Sequence, residues 1–223
     1  MSTTATILGA TGMIGGEILK LLLEDPAYSN LRVVGRSSCG VRHPKLEEYV
    51  IDLQDQNALE QAIAGSETVF VAVGTTNRQV KGDKEAYRKV DFDIPVNAAK
   101  AAAKFGVYGF ALVSAVGADP NNEYNFYIKL KGVTEETVAE QMIPQTMIFR
   151  PSLLMGERKE KRPMEKIAQV VMPVVNLCLR GSWGRYKGIA AGDVAKAMVN
   201  AAKTKPKGIH FFEYAEMMAL AGK

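Results

Sequence analysis

Apolar residues in this chain fall into short dense runs separated by stretches patterned at helical spacing. TATILGA (4–10) is an apolar run that stops at glycine and reads as a buried strand. MIGGEILKLLLED (13–25) places apolar residues at 14, 18, 19, 21, 22 and 23, a helical stripe closed by Pro26. LRVVG (31–35) and EEYVID (47–52) predict two further strands, and QNALEQAIAG (56–65) a helix ending at Gly65. TVFVAVG (68–74) is apolar at nearly every position, as expected of a strand covered on both faces. A helix over 93–106, a strand over 107–114, a helix containing Tyr127 and a strand over 145–151 follow.

Strands and helices therefore alternate through residue 150, which predicts an α/β fold: a doubly wound parallel sheet with helices on both faces. Beyond it the pattern predicts a helix near 164–179 interrupted by Pro173 and a loop RGSWGRYKG. A helix over 191–202 and a strand over 208–214 complete the chain. With no internal repeat or linker, residues 1–223 read as one domain, a core over 1–150 with a short substrate-side elaboration over 151–223. Met155, Met164, Met172 and Trp183 are apolar candidates for a pocket floor, or equally for packing or a dimer face.

The bulk numbers narrow the class only a little. A 47% hydrophobic, 23% charged chain of 223 residues is globular, and a formal net charge of +4 is mild. The basic runs at 158–162 and 203–207 lack interleaved aromatics and read as solvated loops, so no nucleic-acid partner is expected. Two cysteines, Cys39 and Cys178, without a pairing pattern suit a reducing compartment. With no signal peptide or membrane-length apolar run visible, a cytoplasmic monomer or homodimer without membrane attachment is the expectation. No spacing suggests a metal site.

Chemistry enters at GATGMIG. Gly9, Gly12 and Gly15 stand directly after the first strand and open the first helix. Gly9 allows the tight turn, Gly12 lets a pyrophosphate approach the backbone, and Gly15 lets the helix pack on the sheet. The helix N-terminus then offers N–H groups to phosphate, drawing in Thr11, Met13 and Ile14. A dinucleotide site of this kind, when selective for NAD, ends its second strand in an acid. Here Arg36 and Ser37 occupy that place, chemistry suited to a 2′-phosphate, so NADP(H) is preferred over NAD(H). Asp52 and Leu53 are candidates to flank the adenine, and Val73, Gly74 and Thr75 to run along the cofactor.

NFYIKLKG (125–132) sets Tyr127 and Lys131 four residues apart, on one helix face. With 8 tyrosines in the chain, chance alone supplies about 0.65 such pairs. Context strengthens it, because Ser114 ends the fifth strand at the carboxyl edge, where such sheets bind ligands. The Ser114, Tyr127, Lys131 set resembles the short-chain dehydrogenase/reductase superfamily, and GATGMIG resembles its atypical and extended branches. More narrowly, GTTNRQVKGDKEAYRKVD, LVSAVGADPNNEYNFYIKLKGVTEE and FRPSLLMGERKEKRP resemble the Tat-interacting-protein-type oxidoreductase-like proteins.

The resemblance implies hydride transfer between a nicotinamide and a small carbonyl or alcohol. Tyr127 would exchange the proton, Ser114 would orient the substrate oxygen, and Lys131 would bond the cofactor ribose. The Lys131 ammonium is expected to lower the Tyr127 pKa. The resemblance also implies that Pro151 and Leu153 pass the nicotinamide. Two alternatives stand beside this reading: a regulatory NADPH-binding protein acting through a partner, and an epimerase- or dehydratase-like enzyme.

Overall fold

Seven of the apolar runs pair into one sheet. In the computed structural model, which describes residues 3–76, 79–155, 181–204 and 207–223, the strands are β1 (Thr4–Leu8), β2 (Asn30–Gly35), β3 (Leu46–Val50), β4 (Thr68–Val71), β5 (Gly109–Val113), β6 (Gln145–Phe149) and β9 (Gly208–Phe212). Their order is β3-β2-β1-β4-β5-β6-β9, and every neighbouring pair is parallel. The chain builds outward from β1 to β3, then returns to the other side of β1 with β4. That reversal opens a crevice at the carboxyl ends of β1 and β4, the place where open α/β sheets bind ligands.

Strand alternation divides the core in two. Ala5, Ile7, Val33, Phe70, Ala111 and Met147 face one side and meet α1 (Met13–Glu24) and α6 (Ala191–Thr204). Leu8, Val34, Val69, Val71, Phe110 and Leu112 face the other and meet α2 (Gln56–Ile63) and α4 (Ile94–Lys104). Consecutive strand residues serve opposite layers, so a one-residue slip would exchange them and bring mismatched surfaces together. α5 (Phe126–Ala139) joins the second layer through Val138. A two-stranded ribbon of β7 (Leu154–Met155) and β8 (Ile189–Ala190) ties the segment after β6 to the start of α6.

Two features lie outside the sequence expectation. The first is a helical segment ahead of the one expected over 93–106. α3 (Lys84–Arg88), capped by the Asp83 carboxylate, runs through a π turn (Lys89–Asp93) into α4. Pro95 accounts for the π turn. It has no N–H for the Asp91 carbonyl four residues back, and its ring would crowd that carbonyl, so the helix widens. The second is α7 (Tyr214–Ala221), started by a capping box between Glu213 and Glu216 and ended by Gly222 at φ +79°. The strand expected over 208–214 accordingly stops at Phe212. The helix expected near 164–179, with Met164 and Met172, lies outside the described residues. Among the described residues no helix is long and apolar enough to cross a membrane.

Candidate active site

The glycine turn works by close approach. Gly9 sits at φ +91°, and a Cβ there would come within 2.6 Å of the Ala72 carbonyl oxygen at the end of β4. A Cβ on Gly15 would overlap the Gly9 carbonyl, so α1 rests on the turn backbone to backbone. Gly12 begins α1 in extended conformation and provides no side-chain cap, which leaves the first N–H groups of the helix free to receive an anion.

A cleft of about 930 Å³ opens over this turn. Thr11, Gly12, Met13 and Ile14 line it at the helix end, Val73, Gly74 and Thr75 at the end of β4, and Pro151 at the end of β6. Ser114, Tyr127 and Lys131 share the same wall. A smaller cavity of about 160 Å³ adjoins it, lined by Gly9, Arg36, Ser37 and Leu53. Thus a continuous path runs from the end of β2, across the turn, to the Ser114 end.

Several anticipated residues take other positions. Gly15 packs beneath the turn instead of lining either cavity. Asp52 is exposed and closes its own turn by accepting from the Gln54 N–H at 3.0 Å, outside both cavities. Leu153 is 47% exposed and also lies outside both linings; its neighbours Ser152 and Leu154 face the cleft. Alternation along an extended segment turns Leu153 away. Met155 lines the cleft, whereas Trp183 is 65% exposed and does not.

Ser114 is buried, and among the described residues its Oγ has no hydrogen-bond partner. A buried hydroxyl left unpaired costs free energy, and because Ser114 lines the cleft a ligand oxygen is its natural partner. Tyr127 opens onto the cleft from the first turn of α5. Asn125 caps that turn, its Oδ1 accepting from the Tyr127 and Ile128 N–H groups at 3.0 and 3.3 Å. Gly132 allows α5 to press against the loop after β5, for a Cβ there would overlap Pro120 and Asp119. At its far end α5 is fixed by the fork of Arg150 on Glu135, with contacts of 2.5–3.2 Å.

The residue that the sequence reasoning missed is Asp91. Lys131 is buried, and its Nζ lies 2.9 Å from Asp91 Oδ1, itself only 1% exposed. The same Nζ is 5.9 Å from the centroid of the Tyr127 ring. The second Asp91 oxygen accepts the Thr75 N–H at 2.8 Å. Tyr87 packs edge-on to Tyr127 at 6.1 Å and donates to the Thr75 carbonyl at 3.3 Å.

This arrangement reverses one expectation. The Tyr127 phenol is held above its ordinary value of 10.0, not below it. Burial is the largest cause; Lys131 pulls downward, and Asp91 pushes up again. Lys131 itself is raised: burial, the largest single influence, would discharge it, but Asp91, Tyr127 and Glu135 together outweigh that burial. At neutral pH the site therefore holds a protonated phenol beside a neutralised ion pair.

Comparison with known proteins agrees with the cleft. A family described as NAD(P)H-binding matches residues 9–205. The chain belongs to this family. A mitochondrial protein FMP52 from Candida albicans is 31% identical over 92% of this chain and 88% of its own length. A mitochondrial FMP52-1 from Scheffersomyces stipitis is 31% identical over 99% of both chains. These relatives carry the FMP52 name, not that of the Tat-interacting-type proteins, which corrects the narrower resemblance. Their mitochondrial designation likewise overturns the cytoplasmic expectation; a sequence can lack a legible signal peptide and still belong to another compartment. Among solved structures, a UDP-N-acetylglucosamine 4-epimerase from Methanobrevibacter ruminantium shares the fold. Its TM-score is 0.73 at 17% identity, over 95% of this chain and 76% of that one.

Proposed function

We propose that this protein is an NADP(H)-dependent oxidoreductase that transfers hydride between the nicotinamide and a small carbonyl or alcohol. The observation that carries the reading is the convergence of Ser114, Tyr127 and Lys131 on the wall of one cleft that begins at a glycine cradle. The residues present suit a pyridine dinucleotide: backbone N–H groups at the start of α1 for the pyrophosphate, and a turn no Cβ could enter. Arg36 and Ser37 border the smaller cavity, where a 2′-phosphate would lie. Gly9, Leu53, Val73, Gly74 and Thr75 would flank the rest of the cofactor.

When bound, the nicotinamide supplies the hydride chemistry. Ser114 Oγ donates a hydrogen bond to the substrate oxygen and orients it. Tyr127, protonated at neutral pH, gives its proton to that oxygen as negative charge develops, and takes it back in the reverse direction. A positioned acid of this kind contributes ~10²–10⁴ in rate. Lys131 keeps a positive charge at the cofactor's edge, within a site that Asp91 makes electrically balanced.

Three experiments test this. NADPH oxidation is measured against a panel of small aldehydes and ketones with wild type and Tyr127→Phe; the reading expects turnover that the variant loses by about 10²-fold or more while NADPH still binds. Equal inactivity of both proteins, with tight NADPH binding, favours the regulatory alternative. Arg36→Ala should weaken NADPH far more than NADH, and equal loss would remove the preference for NADP(H). By kinship with the FMP52 proteins we also place this protein in mitochondria. Subcellular fractionation that recovers it from the cytosol alone would contradict that placement.

A further inference from the structure

Asp91 makes more connections than a structural acid needs. It sits in the π turn that Pro95 imposes, and the turn swings its carboxylate inward between two elements that carry the site. One oxygen meets Lys131 Nζ on α5, and the other meets the Thr75 N–H after β4. Its freed backbone carbonyl faces α5 as well, 3.2 Å from Thr134 Oγ1, whose single proton also has the Leu130 carbonyl within reach at 2.7 Å.

We propose that Asp91 is a positioning residue for the proton-transfer pair, holding Lys131 charged inside a buried wall and fixing the Lys131 helix to the cofactor-lining strand end. The proposal deepens the oxidoreductase reading and rests on it. Lys131 is only 5% exposed, and a buried ammonium loses its proton unless an anion compensates. The groups that face it are few. Asp91 comes from the π turn, while Tyr127 and Glu135 come from its own helix. Glu135 is already engaged by the Arg150 fork, and the Tyr127 phenol is protonated at neutral pH. Among the described residues Asp91 is thus the anion available to Lys131. It also opposes the ammonium's field at the phenol, which together with burial leaves Tyr127 a proton donor ready for carbonyl reduction.

The test follows Lys131 directly. Side-chain nitrogen NMR of lysine-labelled protein is recorded across pH, with the Lys131 signal identified by its loss in Lys131→Met. In wild type Lys131 should titrate above the ordinary lysine value of 10.5. In Asp91→Asn, which keeps an oxygen for the Thr75 N–H but removes the charge, it should titrate roughly 2 pH units or more lower. The alkaline limb of kcat/KM should move down with it, a change that a purely structural role would not produce.

Unchanged Lys131 titration in Asp91→Asn would overturn the proposal. So would a wild-type Lys131 that titrates below 10.5, a result that decides the matter even if the variant fails to fold. Failure of the oxidoreductase reading looks different: no carbonyl is reduced by wild type, whatever Lys131 does. A shifted titration with turnover absent would keep the Asp91–Lys131 coupling and remove its catalytic purpose, overturning the positioning role. Turnover with an unshifted titration would remove Asp91 alone.

Discussion

Two adjacent glycines in α1 should respond oppositely to the same substitution. In Gly15→Ala the new Cβ overlaps the Gly9 carbonyl, lies 2.6 Å from its carbon and 3.0 Å from the Ala10 nitrogen. All three are backbone atoms of the cofactor turn, so no side chain can swing aside. Overpacking against a rigid neighbour costs about 3 kcal/mol, at the upper end of its usual range. Alanine returns about 1 kcal/mol through helix propensity. The net loss is about 2 kcal/mol, which for a 223-residue chain lowers Tm by roughly 4–8 °C. Relief requires α1 to lift from the turn, so NADPH affinity should fall with stability. In Gly16→Ala the Cβ meets only the Ala10 carbonyl oxygen, at 3.3 Å. That variant should melt within about 2 °C of wild type or above it, because helix propensity offsets the mild contact. Thermal melts and NADPH fluorescence titrations of the three proteins check both halves. A Gly15→Ala protein that melts and binds like wild type would refute the claim that turn and helix are in backbone contact.

The remaining predictions concern charge and the α5 anchor. Glu135→Gln should destabilise by about 2–3 kcal/mol in denaturant unfolding, below the full value for a buried pair because Arg150 is partly exposed; a change under about 0.5 kcal/mol would show that the fork does not anchor α5. Lys131 has a folded pKa above its unfolded one, so its stabilising contribution is complete below pH 10.5 and disappears as pH rises through the folded value. Wild type should therefore lose stability more steeply above pH 10.5 than Lys131→Met/Asp91→Asn, and parallel alkaline melting curves would contradict the raised Lys131.

The fold was legible because each layer leaves a period. Both-faced burial made TVFV continuous, and the one-sided packing of α1 left a stripe. The glycine turn was legible because two close backbone approaches, at Gly9 and Gly15, demand missing Cβ atoms. Asp91 was not, because its partner is 40 positions away and nothing local marks an acid between Val90 and Phe92 as paired. The only cue was an acid flanked by apolar residues four positions before Pro95, and reading it requires knowing that the helix widens there. The Tyr127 expectation failed because the Lys131 spacing was visible, but the burial of the phenol, the largest cause of its raised pKa, was not, and neither was the anion that opposes Lys131. Leu153 and Asp52 were placed by position along a segment, and side-chain direction within an irregular segment is set by tertiary contacts. α7 was hidden because Phe211 and Phe212 continue apolar into Tyr214, masking the capping box that begins at Glu213.

The most direct test uses NADPH deuterated at its hydride-donating carbon, incubated with the purified protein and the carbonyl panel, with products read by mass spectrometry. The account predicts deuterium on the carbinol carbon of at least one product with wild type, and none above background with Tyr127→Phe. Deuterium transfer that survives Tyr127→Phe undiminished, or a wild-type protein that binds NADPH and transfers none, would contradict it.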